Sequence, residues 1–266
     1  MLEPLPTLRA PQPPEDRLAR NLPANVALDC LRAGWRDLWH NPLSSLAYGL
    51  LLFLISVAVI WALDHYGLLY LLLPATAGFM IVGPFLAIGL YQKSRELEHG
   101  RNPHLAEMRH SHAASGGQLA YAGLLLCLLL LFWLRAADLL YALFFGLQPF
   151  PGADEAMANT FTTLRGWMLL ISGGLVGALF AGFAFAISVF ALPMLASERR
   201  DALTAFGTSF AMVTRNLGPS LAWGAIVTGG IVISALTGLL ALIVVFPVLG
   251  HGTWHLYNRL RPESGA

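Results

Sequence analysis

Long, nearly uncharged apolar runs alternate with short polar segments along most of this chain. Leu43 to Leu63, Leu68 to Tyr91, Leu119 to Leu140 and Trp167 to Ala196 are each long enough, at about 1.5 Å per helical residue, to cross roughly 30 Å of hydrocarbon. The last run extends from Leu217 to Tyr257. As one helix it would reach about 60 Å, twice the bilayer core, so it divides at Ser234 to Gly238 into two spans. The pattern predicts six membrane-crossing helices, paired as three hairpins. Asp64-His65-Tyr66-Gly67 forms a tight polar turn inside the first pair.

Amphipathic stretches precede the spans. From Val26 to His40, Val26, Cys30, Ala33, Trp35 and Leu38 fall on one side, while Asp29, Arg32, Arg36 and Asp37 occupy the rest. Such a helix, carrying Trp35 and Trp39, lies in the interface. Glu198 to Asn216 repeats the arrangement, with Leu203, Phe206, Phe210 and Val213 apolar. Residues 1–25, rich in proline and mixed in charge, read as a mobile cytoplasmic tail. They lack the short apolar core of a cleavable leader, so the first span is expected to act as an uncleaved anchor. A single membrane domain then occupies 26–260, and 261–266 form a second tail.

Internal similarity supports three units, 26–98, 99–200 and 201–260. Asn41-Pro42-Leu43-Ser44-Ser45-Leu46-Ala47-Tyr48-Gly49 aligns without gaps on Asn216-Leu217-Gly218-Pro219-Ser220-Leu221-Ala222-Trp223-Gly224. Leu119-Ala120-Tyr121 is a shorter third echo. Pro84, Leu86, Gly89 and Tyr91 match Pro247, Leu249, Gly252 and Trp254, and Pro193 occupies a comparable place in the middle unit.

Composition agrees with a membrane protein: the 266 residues are 56% hydrophobic and 12% charged, far from the soluble average. A formal net charge of +1 gives no support to a nucleic-acid partner. Charge placement sets the orientation. Arg9, Arg17, Arg20, Arg32, Arg36, Lys93, Arg95, Arg101, Arg109, Arg199, Arg200, Arg215, Arg259 and Arg261 share one side of the six-span arrangement, leaving Arg165 outside and Arg135 within a span. The positive-inside rule makes that side, with both termini, cytoplasmic.

Few residues suggest chemistry. His251 and His255 are one turn apart on the last span and could hold haem or a metal if another helix supplied ligands; the alternative is a pair of hydrogen-bonding interfacial histidines. Arg135 and Asp138 lie three apart near the outer end of span three, either as an ion pair or as a transport or partner-binding element. Pro84 and Pro247 mark where two spans could face each other beside His251. His99, His104, His110 and His112 occupy a polar loop, and Cys30 and Cys127 read as free apolar thiols. Gly173, Gly177, Ala178, Ala181 and Gly182 give span four a small-residue face suited to close packing. Neither a phosphate loop nor a catalytic Ser/His/Asp spacing is visible, so no enzyme activity and no cofactor are expected.

Gly34-Trp35-Arg36-Asp37, Asn41-Pro42 with Ser45-Leu46, Ala77-Gly78-Phe79 with Gly83-Pro84, Gly89-Leu90-Tyr91 with Ser94-Arg95-Glu96-Leu97-Glu98, and Phe246-Pro247-Val248-Leu249-Gly250-His251 with Trp254-His255 together resemble the bacterial integral-membrane family catalogued as domain of unknown function 2189. Some of its members carry the label of a cytochrome c oxidase subunit. The resemblance implies an all-α, multi-pass protein of the bacterial inner membrane and a link with respiratory oxidases, without oxidase catalysis. The expected partners are the lipid bilayer and other membrane proteins or a second copy of the chain. The expected role is a non-catalytic accessory, assembly or scaffold component. A small-molecule transporter or channel built from parallel hairpin repeats is the alternative, and a haem- or metal-handling protein a third.

Overall fold

A computed structural model describes residues 18–101, 114–146 and 153–261. Every regular element among them is helical. The first, α1, runs Val26–His40. Its buried residues Val26, Ala27, Cys30, Gly34, Asp37 and Leu38 recur every three or four positions, so one stripe faces the protein. Trp35 and Trp39 stay exposed, their rings edge-on at 5.8 Å. Asp37 corrects the polar-face expectation, because it lies on the buried stripe. Asn41, with non-helical backbone, ends the helix, and Pro42 opens α2 (Pro42–His65) at the position where its missing N–H costs nothing.

After a 3-10 turn at Leu69–Leu71, the second apolar run forms α3 (Leu72–Leu86) and α4 (Ile88–Glu98), joined at Ala87. Pro84 has no N–H for the carbonyl four residues earlier, which weakens the helix just before this joint. The third run is one helix, α5 (Gly116–Phe145). Between the third and fourth apolar runs lies α6 (Ala153–Thr162); Pro149 and Pro151 lie outside the described residues. Span four is α7 (Leu164–Ser188) followed by α8 (Ala191–Ser197). Pro193 cannot donate to the Val189 carbonyl, and the chain breaks there. Ser209 seals the joint by donating to the Ala186 carbonyl at 2.8 Å and accepting the Phe190 N–H at 3.1 Å.

The amphipathic helix α9 (Ala202–Arg215) starts on Asp201, whose carboxylate accepts the Thr204 N–H at 2.8 Å as an N-cap. Asn216 separates it from α10 (Leu217–Leu236). Its side chain donates to the carbonyls of Leu18 and Met212 and accepts the Arg20 N–H, which ties the amino-terminal segment to this junction. Gly238 and Leu239 adopt positive φ, reversing the chain into α11 (Leu242–Leu260). The expected split of the final apolar run therefore occurs within a turn of Ser234 to Gly238.

Five segments are long and apolar enough to cross a membrane: Pro42–His65, Pro74–Glu98, Gly116–Phe145, Leu164–Ser197 and Leu217–Leu236. The helix α11 does not meet that measure, yet it is the axis of the bundle. Thirteen of its residues are buried, whereas α2 buries only four. It packs on α1, α2, α4, α8 and α10, while α3, α5 and α7 form a second group against one another.

Glycines permit the closest approaches around α11. A Cβ on Gly34 would collide with backbone at Val248 and Gly252, and one on Gly49 with the Ile243 carbonyl. That carbonyl is the one Pro247 leaves without its helical donor. The small-residue face of span four is used in part: Gly177 receives the Trp133 ring, but Gly173 and Gly182 meet open space. Gly49→Ala is expected to cost about 1–3 kcal/mol through overpacking, whereas Gly182→Ala should change stability by less than about 0.5 kcal/mol. Thermal unfolding of the two variants in one detergent tests this contrast, and equal effects would contradict the packing.

Candidate functional site

Polar side chains from four helices meet where α1, α2, α4 and α11 converge. The amphipathic stripe of α1 supplies Asp37. One turn into α2 stands Ser45, below Asn41. Lys93 and Ser94 come from α4, beyond the Ala87 joint, and His251 and His255 project from α11 one turn apart. Ser45, Lys93, Ser94 and His251 are completely buried.

The hydrogen bonds form one continuous set. Lys93 Nζ donates to the Asn41 carbonyl at 2.7 Å and to Ser45 Oγ at 2.6 Å. Ser45 Oγ is 2.9 Å from His251 Nε2. Ser94 Oγ is 2.7 Å from His251 Nδ1 and donates to Asp37 Oδ2 at 2.7 Å. His255 Nε2 approaches the same carboxylate oxygen at 2.8 Å, while its Nδ1 is 3.7 Å from Glu98. Glu98 also accepts from Asn258. At the far end of the α1–α11 seam, Asp29 stands 4.0 Å from Arg259.

Burial by itself would raise the Asp37 carboxyl, but the bonds from His255 and Ser94 outweigh it and hold the group below the ordinary carboxylate range. In the same stripe, burial pushes the Cys30 thiol up to about 11, so Cys30 packs as an inert apolar group.

This geometry bears directly on the histidines. His251 and His255 do face one site, as their spacing implies, but both ring nitrogens of His251 are already engaged by serines. A metal or haem iron would have to displace one of those bonds. Among the described residues no group of three or more His, Cys, Asp or Glu side chains is arranged to hold a metal ion. Ser45 and His251 have the separation of a nucleophile and base, yet Ser45 is sealed and the Lys93 ammonium points at its oxygen.

The other candidates stand elsewhere. Arg135 and Asp138 pair at 3.2 Å on an outward face of α5, with the arginine side chain 78% exposed. Pro84 and Pro247 act through the backbone, one before the Ala87 joint and the other at the carbonyl beneath Gly49. His99 is exposed and bonded to the Arg95 carbonyl. His104, His110 and His112 lie outside the described residues, and Cys127 is exposed.

The spacing of His251 and His255 pointed to this place, but Asp37, Ser45, Lys93 and Ser94 went unnoticed as site residues. One signal was readable: Asp37 follows Cys30 by seven and Gly34 by three, which puts an acid on the apolar stripe.

Fold and site together define a polytopic, all-α integral membrane protein. Residues 72–197 match the family model described as Predicted integral membrane protein (DUF2189). The matched span runs from the start of α3 to the end of α8, including Lys93 and Ser94 but not Asp37, Ser45, His251 or His255. Neither the curated proteins nor the solved structures offer a significant match.

The Asp37 bonds give a signed pH dependence. Because its folded value is below the unfolded one of about 3.9, their contribution is complete above roughly pH 5 and is lost as pH falls through the folded value. The thermal midpoint should hold from about pH 7 to 5 and drop in stronger acid. Asp37→Asn should lower the midpoint at neutral pH and flatten the acid drop; an unchanged profile in this variant would contradict the assignment.

Proposed function

We propose that the protein is a non-catalytic component of the bacterial inner membrane, serving as an accessory, assembly or scaffold subunit, with α11 as a sixth crossing helix and both termini cytoplasmic. One observation carries this reading: Asp37, Ser45, Lys93, Ser94 and His251, buried where α1, α2, α4 and α11 converge, are joined in one hydrogen-bonded set, while the long helices turn apolar faces outward. Leu50, Leu51, Leu54, Ile55 and Trp61 on α2, with Leu175 and Leu179 on α7, are exposed in this way. Lipid or neighbouring membrane helices suit such faces.

Connectivity and charge support the sixth crossing. The chain returns after Leu239, and α11 ends at Arg259 and Arg261, which the positive-inside rule assigns to the cytoplasm. Its lower apolarity fits a helix surrounded by protein. The three-unit repeat is supported by the matching junctions at Asn41 and Asn216, each between an amphipathic helix and a span. A role beside respiratory oxidases rests on the family resemblance.

A transporter built from parallel hairpin repeats is the second reading, favoured by the joints at Ala87 and Val189–Phe190, beyond which α4 and α8 pack together. Sealed packing around Ser45 and Lys93 weighs against it.

Affinity purification in mild detergent separates the two. Stoichiometric recovery of a membrane complex, a terminal oxidase first among those to assay, supports the accessory role; a lone protein giving substrate-dependent flux in liposomes reverses it. Reporter fusions after Gly67, Ser115, Asp154, Ser197 and Glu263 should alternate as outside, inside, outside, inside, inside. A periplasmic Glu263 fusion would remove the sixth crossing.

A further inference from the structure

The donors and acceptors of the buried set have a definite order. A lysine ammonium can only donate, so with Lys93 charged the Ser45 oxygen accepts from it and directs its own proton to His251 Nε2. The ring is then neutral and carries its proton on Nδ1, which donates to Ser94 Oγ. Ser94 in turn donates to the Asp37 carboxylate. Each hydroxyl gives one bond and receives one, and the chain runs from a cation to an anion.

We propose that Lys93, Ser45, His251, Ser94 and Asp37 form a one-ended proton relay, which passes a proton between the lysine amine and a carboxylate that communicates with the aqueous side. Transfer toward Asp37 moves one proton across each link: Lys93 Nζ to Ser45 Oγ, Ser45 Oγ to His251 Nε2, His251 Nδ1 to Ser94 Oγ, and Ser94 Oγ to Asp37 Oδ2. The products are a neutral amine, the Nε2–H tautomer of His251 and a protonated carboxyl. Every bond survives with its direction reversed, and Lys93 keeps its donation to the Asn41 carbonyl. No co-reactant is required and the total charge is unchanged.

Accessibility fixes the open end. The side chains of Asp37 and His255 are 13% and 20% exposed, whereas Ser45, Lys93, Ser94 and His251 are sealed. Asp37 is faced by His251 and His255 from α11 and by Lys93 and Ser94 from α4, with Glu98 beyond His255 and the Asp29–Arg259 pair along the same seam. Beyond Ser45, α2 buries only Gly49 and Leu52, which carry no side-chain proton. The relay therefore stores and returns a proton at one face instead of conducting it across. This role is independent of the scaffold reading and of any partner.

Two measurements on purified protein in lipid nanodiscs test it. Nitrogen NMR of labelled histidine, with His251→Gln identifying the resonance, gives the tautomer at neutral pH. Infrared difference spectra, with Asp37→Asn identifying the band, give the state of the carboxyl. The relay requires an Nδ1–H ring beside an ionised Asp37 or an Nε2–H ring beside a protonated one. A doubly protonated ring, or either mismatched combination, overturns it. In the infrared titration, Lys93→Met should raise the Asp37 midpoint by about one pH unit. His251→Gln, which offers an acceptor to Ser45 and a donor to Ser94 but cannot pass a proton, keeps Lys93 charged and should leave that midpoint near its wild-type value while slowing proton exchange at Lys93 Nζ about tenfold or more. Unchanged exchange at Lys93 Nζ in His251→Gln, read by NMR, means that the lysine proton reaches water without the ring and overturns the relay; if that variant does not fold, the wild-type NMR and infrared pairing still decides.

Discussion

A helix enclosed by other helices must find partners inside the protein for the charged and strongly polar groups it buries, and α11 is that helix. Its neighbours approach closely because Gly34, Gly49, Gly250 and Gly252 leave no side chain between backbones or beneath Leu90 and Trp223. Such proximity excludes water, so His251 depends on side chains from other helices for both ring nitrogens. Removing one partner from a buried charged set costs about 3–5 kcal/mol. Asp37, Ser45, Lys93 and Ser94 thereby bind α1, α2 and α4 to one axis, and the packing and the polar network impose each other.

The same enclosure explains why α11 is the least lipid-like of the long helices. A span facing hydrocarbon must be apolar on its outer surface, as α2 is on nearly all sides. A helix facing other helices can carry His251 and Thr253, which are bonded, and Trp254, which packs against Tyr257. Trp223 Nε1 donates to Thr253, which donates to the Leu249 carbonyl. Hydropathy therefore singles out the peripheral helices and not the central one.

Much of the fold was legible for this reason. The apolar runs gave α2, α5 and α10 within a few residues, and the excess length of the final run placed the reversal within a turn of Ser234 to Gly238. Proline marked the broken spans but not the side of the break, because Pro84 precedes its joint while Pro193 follows one. The helix α6 leaves no clear mark in the sequence, since flanking prolines and acids mask a short helix. The site was half legible: i, i+4 spacing brought out His251 and His255. Asp37 and Lys93 resembled ordinary charges at the ends of membrane segments, which are usually solvated, and only the tertiary position of α11 turns them inward.

Under the proposed repeat, Ser45 and Ser220 are equivalent, and their fates diverge. Both are fully buried one turn beyond an asparagine junction. Ser45 lies between Lys93 and His251, whereas Ser220 Oγ has no hydrogen-bond partner among the described residues. Next along the two helices, Tyr48 donates to the Leu86 carbonyl and Trp223 reaches Thr253. The asparagines differ as well: the Asn41 carbonyl receives Lys93, while the Asn216 side chain holds the segment at Leu18 and Arg20. One local device, an amphipathic helix turned into a span at an asparagine, thus anchors a polar site in one place and the segment at Leu18 and Arg20 in the other. The difference lies in what α4 and α11 bring to it, so the chemistry belongs to the meeting of the units and not to the unit itself.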